Sequence, residues 1–95
     1  MYYDVFKAYN LNDIEFKWLL LMQKPRDSYY AAKVLGGHPT NTHARFRRLE
    51  KAGFLDRVHR GDAWTPSKWV LSEKGRQFLN TVVDEIIFTQ QHANK

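Results

Sequence analysis

The chain has 95 residues, 43% hydrophobic and 26% charged, with 15 Lys and Arg against 10 Asp and Glu for a formal charge of +5. This length makes a single domain and leaves no room for a cofactor domain beside a substrate domain, and the ordinary composition excludes disordered, collagen-like and coiled-coil chains. No cysteine is present, which removes disulfide frameworks, thiolate zinc sites and thiol redox chemistry. The longest apolar run, Trp18 to Met22, falls far short of the about 20 residues a membrane span needs. Met1-Tyr-Tyr-Asp-Val lacks the basic start and apolar stretch of a secretory leader, so a cytoplasmic chain without membrane association is expected.

The aromatic segment Tyr2 to Tyr9 is read as helical. Asn12 then caps a helix running to Gln23, with acids at Asp13 and Glu15 and apolar Ile14, Trp18, Leu21 and Met22 at helical spacing. Pro25 ends it, because proline disfavours helical geometry in the residue before it. Asp27 caps a short helix, about Ser28 to Leu35, closed by Gly36-Gly37. A third helix opens after Pro39, runs about Thr40 to Ala52, and stops at Gly53, where a left-handed cap is usual. Phe54 to His59 alternates loosely, as a half-exposed strand does; Arg60 to Ser67 is a loop, and Lys68 to Leu71 a return strand. Ser72 caps a last helix of about 73–91, whose Phe78, Leu79, Val82, Val83, Ile86 and Ile87 form a stripe covering half its circumference.

The charge is concentrated. Residues 38–76 hold nine Lys and Arg against four Asp and Glu, a net +5, whereas residues 1–37 carry +1 and residues 77–95 carry −1. A basic excess confined to one segment suits a polyanion, nucleic acid first. That segment follows a short helix and a glycine turn with a basic helix and a hairpin, which is the order of a helix-turn-helix (about 28–52) with a wing (about 54–71). The expected fold is mainly α with a small β-hairpin (α+β): one winged-helix domain over 1–95, with a three-helix core, a wing and a C-terminal helix.

The run Pro39-Thr-Asn-Thr-His-Ala-Arg-Phe-Arg-Arg-Leu-Glu-Lys-Ala-Gly-Phe-Leu55 resembles the third helix of the MarR and PadR families of bacterial winged-helix regulators. Leu49, Glu50, Gly53 and Phe54 match the end signature of that helix. Trp69-Val-Leu-Ser-Glu-Lys-Gly-Arg76 is similar to the strand-to-helix junction those families share, and Ser28 to Leu35 is a looser match to a PadR second helix. The resemblance covers about residues 12–80 and implies a DNA-binding transcriptional regulator. The longer chains of both families carry extra helices, mostly absent here, so ligand sensing is not implied.

The third helix can be read from its geometry alone. At 100° per residue Thr42, Phe46 and Leu49 fall together and face the core. The opposite side presents Thr40, Ala44, Arg47 and Lys51, flanked by His43 and Arg48. Ala44 permits close approach to a major groove, and Arg47 suits a guanine edge. Thr40 and Asn41 stand where helix-terminal groups meet phosphates or base edges, while Arg45 and Arg48 suit phosphates. In the wing, Arg57, His59, Arg60 and Lys68 suit the DNA backbone or the minor groove, with Arg60 foremost. Trp69 is expected in the core. Trp64, near the tip, is expected to pack under the hairpin, with stacking on a base or sugar as the alternative.

No histidine pair has the spacing of a helical metal site, and glycine-rich phosphate loops, nucleophile elbows and Cys-His couples are missing. No metal, cofactor or enzymatic activity is therefore expected. The stripe on the last helix is wider than a small core needs, so Phe78, Leu79, Val82, Val83, Ile86 and Ile87 are expected to form a homodimer interface. Two other readings stay open: a winged helix that binds a polymerase or another DNA-associated protein, supported by Tyr2, Tyr3, Phe88 and Trp64, and a replication or partition accessory protein.

Overall fold

The computed structural model describes residues 2–62 and 64–93, with the side chains of residues 2, 3 and 91–93 left aside. Its elements are α1 (Tyr2–Tyr9), α2 (Asp13–Leu21), α3 (Ser28–Leu35), α4 (Pro39–Lys51), β1 (Leu55–His59), β2 (Lys68–Leu71) and α5 (Glu73–Ala93).

Local chemistry sets most of the boundaries. α1 ends in a reversal in which Leu11 N–H donates to Phe6 O and Asn10 N–H to Lys7 O, with Asn10 at φ 57°. Asparagine tolerates that left-handed position because its short polar side chain bonds locally. α2 opens with a capping box: the Asn12 side chain accepts from Glu15 N–H at 2.9 Å, and the Glu15 carboxylate accepts from Asn12 N–H at 3.1 Å. Asp27 caps α3 by accepting from Tyr30 N–H at 2.8 Å. α4 begins at Pro39 rather than after it, because proline at the first helical position gives up no hydrogen bond. Its cap is His38, whose Nδ1 accepts from Thr40 N–H at 3.3 Å. At the other end Phe54 N–H donates to Leu49 O and Gly53 N–H to Glu50 O, with Gly53 at φ 93°. This is the double closure that a left-handed glycine permits.

α2 stops at Leu21, short of the expected Gln23. The cause is tertiary: Leu71 N–H donates to Met22 O at 2.8 Å, and Arg26 and Trp69 exchange both backbone hydrogen bonds at 2.9 and 3.0 Å. Residues 22–24 therefore turn so that Met22 O and then Arg26 meet the outer edge of β2, a tertiary pairing that a proline turn does not announce. β1 and β2 pair antiparallel, Leu55 opposite Leu71 and Arg57 opposite Trp69, until a bulge between Arg57 and His59 leaves Val58 unpaired and exposed. The bulge explains why the alternation along β1 is loose.

The two motifs that carry the family resemblance meet in space. Ser72 Oγ accepts from Gly75 N–H at 3.1 Å as the cap of α5, and its hydroxyl donates to Gly53 O at 2.5 Å. Lys74 Nζ donates to Ala52 O at 2.9 Å and stands 4.5 Å from the centre of the Phe54 ring. A Cβ on Gly75 would collide with Phe54 O and Leu71. Only glycine lets the start of α5 lie this close to the end of α4.

The core is strongly aromatic. Phe78 lies at ring-centroid distances of 5.2 Å from Tyr9, 5.8 Å from Phe6, 6.1 Å from Phe16 and 6.2 Å from Phe54. A second group stacks Trp18 edge-on to Phe46 at 5.7 Å and Phe46 to Trp69 at 5.5 Å. Phe78, Leu79 and Val82 are thus buried inside this chain, which removes them from the expected dimer interface. The excess width of the α5 stripe is taken up by α1, whose Phe6 and Tyr9 cover it. Val83 and Ile87 stay exposed, at 46% and 49%, and Ile86 is half-buried.

Candidate nucleic-acid interface

α3 and α4 pack together across the Gly36-Gly37 turn, and both glycines take positive φ. α4 seats Thr42, Phe46 and Leu49 in the core, which turns Thr40, Asn41, Ala44, Arg45, Arg47, Arg48 and Lys51 to solvent. Arg47, Arg48 and Lys51 meet Arg57 and Arg60 of the hairpin across an open hollow of about 720 Å³. The small Ala44 lines it too, and Glu50 is the lone carboxylate among the described residues that line it.

Glu50 has a structural task. Its Oε1 accepts from Trp69 Nε1 at 2.7 Å and from Arg57 Nε at 2.9 Å. The Trp69 indole N–H above all holds its carboxyl below the ordinary carboxylate range; burial opposes it, and the Arg57 hydrogen bond with the Arg57 and Arg47 charges adds to the lowering. Arg57 also lies over the Trp69 ring at 5.0 Å. The pair therefore locks the hairpin to α4 and sets the angle between the cationic helix and the wing.

The expected site residues separate on this basis. Arg47, Arg48, Lys51 and Arg60 share the hollow with outward side chains, and Arg57 joins them while tied to Glu50. His43 is half-buried and stacks edge-on against Trp69 at 5.2 Å, so it braces the wing more than it reaches outward. Asn41 and Arg45 border a separate hollow beside the Gly36-Gly37 turn, where the Arg45 guanidinium stands 5.9 Å from the Trp18 ring. Thr40 is exposed in the first turn of α4, and His59 and Lys68 face each other, exposed, at the open end of the hairpin.

Trp69 is fully buried, as expected, but Trp64 is not packed under the hairpin: it is 94% exposed. The reason is the tip itself. The Asp62 carboxylate accepts the N–H groups of Trp64 and Thr65, both at 2.8 Å, and Asp62 N–H donates to Thr65 O at 2.8 Å. Those N–H groups, Trp64 first, hold the Asp62 carboxyl below its ordinary range. The turn directs the indole outward. Glu50 and Asp62 are the residues that sequence reasoning missed, and an Asp two and three residues before the N–H groups it receives was a legible turn signal for the latter.

Among the described residues no three His, Cys, Asp or Glu side chains gather as a metal-binding group. No helix of the described residues is long and apolar enough to cross a membrane. The side chains of Tyr2, Tyr3 and His92 lie outside the described residues.

No protein-family model matches the chain, and no curated protein matches it. Solved structures do. RV1404 from Mycobacterium tuberculosis superposes with a TM-score of 0.78 at 18% identity, over 98% of this chain and 67% of that one. The transcriptional regulator Tm0710 from Thermotoga maritima gives a TM-score of 0.76 at 18% identity, over 96% of this chain and 67% of that one. The likeness establishes the fold: mainly helical, with a two-stranded wing between the helix-turn-helix and the C-terminal helix.

Proposed function

We propose that this chain binds double-stranded DNA as a small transcriptional regulator that acts by occupying an operator. The observation that carries the reading is the cation-lined hollow between α4 and β1, on the solvent side of a helix in the helix-turn-helix position. Arg47, beside the small Ala44, reads a base edge in the major groove; Arg48, Lys51, Arg60 and the α4 N-terminus at Thr40 and Asn41 hold phosphates. Arg45, His59 and Lys68 widen the phosphate track, while His43 and Arg57 set the wing. One fold neighbour, Tm0710, is a transcriptional regulator, which supports the same reading by analogy of fold.

The regulator works as a homodimer. Val83 and Ile87 on α5 and Leu20 on α2 are large apolar side chains left exposed after the monomer core is complete, and Ile86 lies at their border. A two-fold dimer places its α4 helices about 34–36 Å apart, which requires a roughly palindromic site.

The test is fluorescence anisotropy against random duplex DNA, titrated with salt. With Arg48, Lys51 and Arg60 on phosphates, joined by Arg45 and Lys68 along the track, log affinity falls by about 3–5 per protomer for each unit of log salt. Absence of binding at roughly 50 mM salt, where phosphate contacts are strong, refutes the reading. In that case a protein-interaction module takes its place, favoured by the exposure of Trp64 and Phe88.

A further inference from the structure

The hairpin tip carries a feature that a phosphate-binding wing does not need. Of the three tryptophans, Trp18 and Trp69 are buried and Trp64 stands almost entirely in solvent. An isolated exposed apolar side chain is ordinary, but this one is held out by a braced turn. Asp62 clamps the Trp64 and Thr65 N–H groups, and Gly61 N–H donates to Ser67 Oγ at 2.9 Å. At Gly61 the two arms of the tip touch backbone to backbone: an added Cβ would lie 2.5 Å from Ser67 N and 2.8 Å from Thr65 O. The indole is therefore presented on a preorganised support, which lowers the ordering cost of using it.

Its surroundings narrow what it meets. Trp64, Tyr29 and His43 border one open hollow of about 700 Å³ between the N-terminus of α3, α4 and the tip. His43 adjoins Ala44, so the hollow lies directly beside the outward face of α4. Asp27 and Asp62 border it too, and among the described residues no Lys or Arg does. Two carboxylates repel a phosphate, so this side of the wing suits the uncharged parts of a nucleic acid, whereas Arg60 and the opposite hollow suit the backbone.

We infer that Trp64 is a DNA-contacting residue whose indole enters the minor groove beside the major groove occupied by α4 and wedges against a sugar and base step. The inference rests on the DNA-binding reading above. Apolar side chains used in this way unstack a step partly and bend the duplex, with flexible pyrimidine–purine steps deformed most readily.

The experiment uses the full chain, its Trp64→Ala and Trp64→Phe variants, and a mixed-sequence duplex of about two helical turns containing a central TA step. Because Trp64 is exposed, both variants keep the fold, which far-ultraviolet circular dichroism verifies. Acrylamide quenching of tryptophan emission reads Trp64 selectively, since the other two indoles are buried. The expected result is protection of the emission on duplex binding, absent in Trp64→Phe. Trp64→Ala loses about 5- to 50-fold in affinity with an unchanged salt slope, as expected for a stacking contact, and Trp64→Phe recovers most of that loss. Duplex binding by Trp64→Ala at wild-type affinity, with Trp64 of the parent still open to acrylamide, overturns the inference and leaves the DNA-binding reading standing. Protection by single-stranded but not duplex DNA overturns it as well. Failure of the parent and both variants to bind duplex at low salt refutes the underlying reading, and the inference with it.

Discussion

Replacing Glu50 by alanine isolates the contact that ties the wing to α4. The carboxylate satisfies the indole N–H of Trp69, which is 0% exposed, so its removal leaves a buried donor without water to turn to. An unsatisfied buried group costs about 1–3 kcal/mol. The Arg57 pair adds less, about 0.2–1 kcal/mol, because both partners keep some access to solvent. A loss of about 1–4 kcal/mol follows from these two costs, at roughly 4–8 °C in Tm for each kcal/mol in a domain of this size. Urea unfolding followed by circular dichroism measures it. Glu50→Gln keeps an acceptor for Trp69 and gives up only the charge, so it loses about 1 kcal/mol or less. The pH dependence has a definite sign. The folded-state pKa of Glu50 is lowered from 4.5, so its charge contributes stability that is fully present above 4.5 and is lost as pH falls through the lowered value. The gap between wild type and Glu50→Gln should therefore close on acidification through the carboxylate range. A Glu50→Ala variant within about 0.5 kcal/mol of wild type, the ordinary span of a neutral surface change, refutes the reasoning, as does a gap that widens in acid.

Phe78→Ala should cost about 3–5 kcal/mol in urea unfolding, since the ring joins α1, α2 and the wing base; a cost near that of a surface change would mean that α1 does not complete the core. Gly75→Ala should destabilise by more than about 1 kcal/mol because its Cβ meets Phe54 O, although glycine to alanine inside a helix ordinarily stabilises. A rise in Tm would contradict that close approach. Arg47→Ala should lose about 1–3 kcal/mol on a selected site and relax its preference, whereas Arg48→Ala should weaken all duplexes alike and flatten the salt slope by about one. Equal loss on every sequence for Arg47→Ala removes it from base reading. Val83→Ser with Ile87→Ser should dissociate the homodimer in sedimentation equilibrium while leaving the monomer's unfolding within about 0.5 kcal/mol. An unchanged assembly state refutes the α5 interface.

The elements that rest on local chemistry were legible in the order of the residues. Asn12 with Glu15, Asp27, Gly53 and Ser72 are capping residues whose partners lie within a few positions along the chain, so the helices they bound were legible from spacing. The inward face of α4 followed from its periodicity, and with it the outward set of Thr40, Ala44, Arg47 and Lys51. Features that depend on distant partners were set only when the chain packed. The early end of α2 answers to hydrogen bonds with Trp69 and Leu71, far along the chain. The burial of Phe78, Leu79 and Val82 answers to an N-terminal helix whose weak local signal said nothing about which face it would cover. The role of Glu50 was hidden for the same reason: a carboxylate on a basic helix looks solvated until the hairpin brings an indole N–H and a guanidinium to it. Periodicity reports which side of an element is apolar. Only the packed chain reports how much of that side its own residues consume, and here that decides which apolar side chains of α5 stay exposed and which aromatic is left standing at the tip of the wing.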